Sequence, residues 1–215
     1  MKKLFIVAAL AVVALVPAIA QADIVAAGNS VKIDDDGSAN ASFGGGPFQI
    51  TNLSQPNAWL TFCIERGETF SYGQTLYVKK VNTEAVNGGI GGPSPDPLSY
   101  DSAFLYTQFR NNVAGFTNGV HIQYAIWRLE GELPNADFAT LSGADQTAVN
   151  DLLTAATTAA WTNLGNVRTL NLYKDANYTQ NAQDVLTMVP EPASMMLLGL
   201  GLVGAATAAR RRSRQ

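Results

Sequence analysis

The chain has 215 residues, with 14 Lys+Arg against 17 Asp+Glu and a formal net charge of −3 at pH 7. An acidic chain with few charges argues against binding to nucleic acid or to anionic membrane surfaces. The single cysteine excludes an internal disulfide bond.

The amino-terminal residues have the order of parts that is typical of a secretory signal peptide. A basic start (residues 1–3) precedes an apolar run (residues 4–16) and a small-x-small cleavage site at residues 20–22. We therefore expect export, with signal peptidase cutting between Ala22 and Asp23. A cut two residues earlier is the alternative.

The first half of the body has the composition and alternation of strands separated by turns. The predicted strands are residues 30–33, 48–51, 58–65 and 74–81. In the third of them, Ala58, Leu60, Phe62 and Ile64 alternate with Trp59, Thr61, Cys63 and Glu65. Residues 88–97 are rich in glycine and proline, which predicts an exposed loop that is neither helix nor ladder.

After this loop the apolar spacing becomes helical. Amphipathic helices are predicted over residues 99–111 and 120–129, and a third begins at Ser142, which has capping-box spacing to Asp145. A last strand is predicted near residues 167–173. The fold class is therefore α+β, one domain over residues 23–188 with an N-terminal antiparallel β part and about three helices.

The carboxyl-terminal residues 189–215 form a tripartite pattern. Pro190, Glu191 and Pro192 are followed by the uncharged residues 193–209 and then by an arginine-rich end. The apolar run is near the lower length limit for a transmembrane helix, and the arginines predict that its end stays cytoplasmic. A helix buried in a globular core is the alternative, which the glycines of this run disfavour.

This order of parts resembles the PEP-CTERM sorting signal of exported Gram-negative bacterial proteins. The resemblance implies recognition by an exosortase-type transpeptidase near Pro190, Glu191 and Pro192, followed by removal of the tail. The membrane is then a transient partner of the precursor, through residues 193–209. The implied destination is the cell surface or the extracellular matrix.

Removal of the two ends makes the body more acidic. Six of the 14 Lys+Arg and one of the 17 Asp+Glu lie in these ends, so the body keeps 8 and 16 and a net charge near −8. This charge again argues against nucleic acid as a partner.

The single cysteine, Cys63, is the first candidate for chemistry in the body. In an exported protein it is a buried small hydrophobe, an intermolecular bridge or a reactive group. A Cys-His hydrolase would pair it with His121, but no sequence feature supplies the third, orienting group. Residues 34–37 (Asp-Asp-Asp-Gly) predict a solvated turn rather than a calcium loop, since no glutamate closes an EF-hand pattern. We therefore expect no metal and no cofactor.

Two motifs suggest what Cys63 does. The triplet Phe62-Cys63-Ile64 and the helical pattern from Gln123 to Trp127 resemble the signatures of bacterial surface thioester domains. The resemblance implies an internal thioester between the Cys63 sulfur and the Gln123 side-chain carbonyl, formed with loss of ammonia. Thr107 and Gln108 match the family's Thr-Gln motif, which implies a supporting role for them and for Trp127.

The position of Gln123 is consistent with that chemistry. It shares an apolar helix face with Val120, Tyr124 and Trp127, and an unsatisfied buried amide costs about 1–3 kcal/mol. A covalent bond to Cys63 removes the amide nitrogen altogether. The alternative is a glutamine that bridges backbone groups in the core.

The sequence thus predicts an exported surface or matrix protein that attaches to surface amines or polysaccharide hydroxyls, as an adhesin does. Attachment through a thioester is a single-turnover cross-link, so we do not expect an enzyme. His121 is more consistent with a surface or capping role than with a base beside Gln123. The alternative function is a non-covalent carbohydrate-binding or passive matrix protein with a free, buried Cys63.

Overall fold

The computed structural model describes residues 22–55, 57–86 and 88–190 and has an α+β architecture built on an antiparallel sheet. In these ranges the strands are β1 Ser30–Asp35, β2 Phe48–Asn52, β3 Asn57–Thr61, β4 Thr75–Asn82, β5 Glu84–Ala85, β6 Asp96–Pro97, β7 Val167–Tyr173 and β8 Val185–Met188. The helices are α1 Tyr100–Arg110, α2 Gly119–Leu129, α3 Asn135–Phe138 and α4 Gly143–Ala159. A 3-10 turn lies at Ser42–Gly44.

Six strands form the main sheet in the order β3-β2-β1-β4-β7-β8, with every neighbouring pair antiparallel. Its two edges meet beyond β3, where Cys63 forms an antiparallel bridge with Val185. Hydrogen bonds from Leu186 N–H to Phe62 O and from Ile64 N–H to Asp184 O, both 3.1 Å, flank the bridge. The sheet is therefore closed into a barrel, which leaves no free edge at this seam.

The barrel core explains the alternation seen in the sequence. Ile33, Ile50 and Trp59 lie in register on β1, β2 and β3, and all three are buried. Ala58 and Leu60, between the buried positions of β3, are the more exposed residues. From Thr61 to Glu65 every residue is buried, because this segment continues between β8 and α2. Strict alternation therefore ends where β3 ends.

Helices α1, α2 and α4 pack on one another, and α1 also contacts β7. This layer covers the outer face of β7 and β8, which are buried almost throughout, whereas β1 to β4 bury one face. The Ser142 side chain accepts the Asp145 N–H at 3.1 Å, which confirms the predicted start of the third long helix. The short helix α3 was not predicted.

The loop over residues 88–97 differs from its prediction. Asp96 and Pro97 pair with Ala85 and Glu84 in a two-stranded antiparallel ladder, and Asp96 is buried. Pro97 is tolerated there because a two-stranded ladder leaves one side of each strand free of backbone partners. The exclusion of a ladder was therefore wrong at the end of this loop.

No helix in the described ranges is both long and apolar enough to cross a membrane. The predicted signal peptide, apart from its last residue Ala22, lies outside the described residues. The predicted transmembrane segment 193–209 lies outside them as well.

Candidate functional site

The site begins where β2 loses its partner. Strand β2 starts at Phe48, opposite Thr61 of β3, and the preceding Pro47 has no N–H to extend the ladder. The loop before it turns back on itself through an Ala41–Gly45 bridge, and Ser42 N–H donates to the Tyr124 hydroxyl at 2.8 Å. Helix α2 therefore holds this loop beside the end of β3.

The Gln123 side chain fills the gap that β2 leaves. Its Oε1 accepts N–H bonds from Gly46 at 3.0 Å and from Cys63 at 2.9 Å, while its Nε2 donates to the Cys63 carbonyl at 2.8 Å. The side chain is completely buried, at 0 % exposure. It thus takes the place of a strand partner for Cys63, which satisfies the predicted need of this amide.

Two N–H donors on one carbonyl oxygen have a chemical consequence. Donors at about 2.7–3.1 Å from an oxygen are the arrangement that stabilises negative charge on it during acyl transfer. Gly46 N–H and Cys63 N–H meet this condition at Gln123 Oε1. They polarise the amide carbonyl, so the carbon of Gln123 is the electrophilic atom of the site.

The Cys63 thiol lies in the same buried region. Cys63 is only 1 % exposed, and this burial raises the pKa of the thiol well above its usual value. A hydrogen bond from Gly46 N–H opposes the shift, so the same N–H faces both the sulfur and Gln123 Oε1. The thiol therefore stays protonated and shielded from reagents in solution.

Trp127 and Gly45 close the other side of the pair. Trp127 is buried, and a Cβ added at Gly45 would lie 2.5 Å from the Trp127 ring and 2.7 Å from Gln123 Cγ. Only glycine fits at position 45. Trp127, predicted to support the pair, therefore lies against the same glycine as Gln123.

The predicted supporting residues Thr107 and Gln108 lie elsewhere. The Thr107 hydroxyl donates to the Ala103 carbonyl within α1 at 2.8 Å, and Gln108 is half-buried on the same helix. Within the described ranges no hydrogen bond joins either residue to Cys63 or Gln123. Their neighbour Tyr106 reaches the barrel seam instead, where its hydroxyl donates to Leu60 O at 2.8 Å.

Tyr106 belongs to a buried network that the sequence did not predict. Arg110 donates to both carboxylate oxygens of Asp23, at 2.8 and 2.9 Å, and to the Tyr106 hydroxyl at 2.9 Å. The Asp23 carboxylate also accepts from the Thr187 hydroxyl and from Met188 N–H. Asp23 was predicted only as the residue after the cleavage site, and Ala22 beside it is half-buried. Nothing in local spacing links Asp23 to Arg110.

His121 does not face the pair. Its Nε2 lies 2.9 Å from Asp145 Oδ1 at the start of α4, as a surface or capping role predicts. Asp35 and Asp36 accept N–H bonds from Gly37 and Ser38 in a turn, as predicted. No group of three or more His, Cys, Asp or Glu in the described part of the chain is arranged to hold a metal ion.

A cleft of about 610 Å³ opens beside the pair. Its walls include two surface aromatic rings, two acids and a guanidinium that stacks 4.3 Å above one of the rings. We call it the aromatic cleft and define it by Phe43, Glu65, Arg66, Glu68, Tyr72 and Trp127.

The acids of the aromatic cleft are held neutral. Burial, helped by the nearby Asp184 carboxylate, raises the pKa of Glu65 to about 8 and that of Glu68 to about 9. Sequence reasoning missed both residues, because a Glu in a strand-to-loop segment normally predicts exposure.

Comparison with known proteins gives one match. Residues 189–212 match the PEP-CTERM protein-sorting motif. No curated protein and no solved structure matches the chain. The motif implies export, processing by an exosortase-type enzyme and sorting to the cell surface or beyond it. Pro190, its first proline, is exposed two residues after the end of β8 at Met188, and Glu191 and Pro192 lie outside the described residues.

Proposed function

We propose that this sorted, exported protein attaches covalently to a partner through an internal thioester between Cys63 and Gln123. The observation that carries the proposal is the pair of N–H bonds from Gly46 and Cys63 to Gln123 Oε1, at 3.0 and 2.9 Å. Two donors on this oxygen would stabilise the negative charge that it takes up in acyl transfer.

Formation of the thioester is a balanced exchange. The Cys63 sulfur attacks Gln123 Cδ, the C–S bond forms and the C–N bond breaks. The thiol proton leaves with the amide nitrogen as ammonia. Gly46 N–H and Cys63 N–H stabilise the oxyanion on Oε1 while the carbon is tetrahedral. No cofactor or metal is needed.

Attachment is the second exchange. A surface amine or a polysaccharide hydroxyl attacks the same carbon, forms an amide or an ester, and releases Cys63 as a thiol. The bond to the partner persists, so each molecule reacts once and the protein is not an enzyme. Such an adhesin-like role suits a protein of the cell surface or biofilm matrix, and it involves no nucleic acid.

Proteolytic processing at both ends of the chain brings the protein to the cell surface or matrix. In this proposal signal peptidase cuts between Ala22 and Asp23, residues 193–209 hold the precursor in the membrane, and an exosortase-type transpeptidase acts near residues 190–192. Replacing Pro190, Glu191 and Pro192 by alanines should leave the precursor in the membrane fraction with its tail. Normal release of the variant would contradict this route.

A second candidate function follows from the same hydrogen bonds. The three bonds of Gln123 satisfy the backbone of Cys63 and Gly46 without any covalent link. In that case Gln123 is a structural bridge, Cys63 is a free buried thiol, and the protein is a non-covalent carbohydrate-binding or passive matrix protein.

Intact mass spectrometry of the purified exported protein separates the two. The thioester makes the protein lighter by one ammonia than its sequence, and methylamine should add its mass and release a thiol for alkylation. Cys63→Ala is a matched control, because two of the three bonds of Gln123 involve the backbone of residue 63, the third involves Gly46 N–H, and none involves the Cys63 side chain. Full mass, with Cys63 alkylated once the protein is unfolded, would overturn the thioester.

A further inference from the structure

The aromatic cleft suits a neutral ligand better than the positively charged side chain of a lysine. We propose that it binds a neutral, hydroxyl-rich saccharide and presents one of its hydroxyls to the carbonyl carbon of Gln123. The covalent step rests on the proposed function, whereas binding in the cleft does not.

Aromatic rings form the outer walls of the cleft. Phe43 is 45 % and Tyr72 is 51 % exposed, although both are large hydrophobic residues. Phe70 and Phe48 hold the Tyr72 ring by aromatic contacts with centroids 6.0 Å apart. These two rings therefore offer flat apolar surfaces to solvent in fixed positions, which suits the apolar faces of a sugar ring.

Phe43 has an unfavourable backbone conformation, and its ring is held by a neighbouring side chain. Its φ of 66° lies in the left-handed region, which a bulky side chain rarely adopts. The Arg66 guanidinium stacks over its ring with 4.3 Å to the centroid, and Arg66 is itself fixed by Asp137 at 2.9 Å. Unusual backbone conformations of this kind cluster at ligand sites.

The charge of the cleft disfavours an ammonium group. Arg66 places a permanent positive charge in the wall. Asp137, which pairs with this guanidinium, is outside the cleft lining, whereas Glu65 and Glu68 in the wall add little negative charge near neutral pH, because burial raises the pKa of Glu65 to about 8 and that of Glu68 to about 9. A neutral ligand meets no such repulsion.

The cleft lies next to the reacting residue. Gly44 and Gly45 belong to its lining, and the missing Cβ of Gly45 would lie 2.7 Å from Gln123 Cγ. Because Gln123 is completely buried, the loop at Gly45 has to shift before a ligand hydroxyl reaches the carbonyl carbon. The volume of about 610 Å³ is within the range of roughly 300–1,000 Å³ for small-ligand sites.

In the covalent step, the saccharide hydroxyl oxygen forms a bond to Gln123 Cδ, and the C–S bond breaks with its electron pair on Cys63 Sγ. The hydroxyl proton passes to that sulfur. The products are an ester of residue 123 and a free Cys63 thiol.

The test is a glycan array probed with the exported protein, carrying neutral, acidic and amino sugars, followed by titration with the neutral oligosaccharide that binds. Binding should survive in Cys63→Ala. It should weaken about tenfold in Phe43→Ala and in Tyr72→Ala, which each remove one ring surface. Tyr100→Ala is the matched control, since Tyr100 is a similarly exposed aromatic residue on α1 outside the cleft.

Covalent reaction is followed by intact mass with the same oligosaccharide and with Nα-acetyl-lysine methylamide. The inference is overturned if no neutral glycan binds, or if Phe43→Ala and Tyr72→Ala bind as the wild type does. Adducts with the lysine probe alone overturn it as well, while leaving the thioester intact. Binding without loss of ammonia supports the cleft and removes the thioester.

Discussion

Asp23 and Met188 are joined by two hydrogen bonds, one from Asp23 N–H to Met188 O and one from Met188 N–H to Asp23 Oδ2. The predicted signal-peptidase site thus lies against the last strand before the sorting motif. The predicted signal-peptidase site and Pro190, two residues after Met188, therefore lie at the same end of β8, and Arg110 pairs with the Asp23 carboxylate there.

Removing the Asp23 carboxylate should destabilise the body strongly. Asp23→Ala leaves the buried Arg110 guanidinium without its partner, which costs about 3–5 kcal/mol in the free energy of unfolding. Urea unfolding measures the change, with mass spectrometry confirming the same amino terminus. Asp34→Ala, which breaks the surface pair with Lys32, should cost less than about 1 kcal/mol. Equal losses of stability in the two variants would contradict a strongly stabilising role for the buried Asp23–Arg110 pair.

Gln123 should matter more to stability than Cys63. Gln123→Ala leaves Gly46 N–H, Cys63 N–H and the Cys63 carbonyl without their partner, at about 1–3 kcal/mol for each buried group. Cys63→Ala keeps all three bonds and loses only a small side chain. Thermal unfolding of the two variants gives the comparison. A loss of stability in Cys63→Ala as large as that in Gln123→Ala would show that the stabilising contact of Cys63 is made by its sulfur and not by its backbone.

Gly45→Ala should disturb the site from the loop side. The added Cβ meets the Trp127 ring at 2.5 Å and Gln123 Cγ at 2.7 Å, and overpacking of this kind costs about 1–3 kcal/mol. We expect lower stability and, if the thioester forms, a smaller fraction that has lost ammonia. Gly143→Ala is the control, because nothing lies within 4 Å of its added Cβ. A variant at position 45 as stable as the control would refute the tight contact.

Stability should fall as pH rises. Burial raises the pKa of Glu65 to about 8, of Glu68 to about 9 and of Asp184 to about 7. In the unfolded chain these carboxyls titrate near about pH 4, so between about pH 4 and 9 the folded state binds more protons than the unfolded state. The free energy of unfolding therefore decreases across this window.

The variant Glu68→Gln tests the pH effect. An amide oxygen can still accept the Asp184 N–H that Glu68 Oε2 accepts at 3.2 Å. The variant should be more stable than the wild type above pH 8 and should lose less stability between pH 5 and pH 9, as measured by urea unfolding. Asp151→Asn, on the exposed face of α4, serves as the control. The same slope in Glu68→Gln and in the wild type would rule out a raised pKa for Glu68.

The sequence predicted the elements whose signals are local. The α2 pattern, the Ser142 cap and the strand alternation up to Thr61 depend on neighbours in the chain, and the structure has these elements within a few residues of the predicted bounds. The same holds for the final strand, β7. Local patterning is therefore sufficient for the α+β class.

The closure of the barrel could not be predicted in the same way. The Cys63–Val185 bridge and the Asp23–Arg110 pair join distant parts of the chain, and no periodicity encodes such partners. Motif resemblance named Cys63 and Gln123, whose hydrogen bonds the structure supplies, but the thioester itself stays a prediction. Tyr106, the neighbour of the predicted Thr107, contacts the barrel seam, and a motif match cannot tell which residue of a helix does so.

The position of β8 has a consequence for the timing of export. The Thr61 hydroxyl donates to the carbonyl of Leu186, 125 residues later in the chain. The seam therefore cannot form until almost the last residues of the body are present. While those residues are still being translocated, the end of β3 has no strand to pair with. The barrel is therefore completed only when residues 184–188 are available to pair with the end of β3.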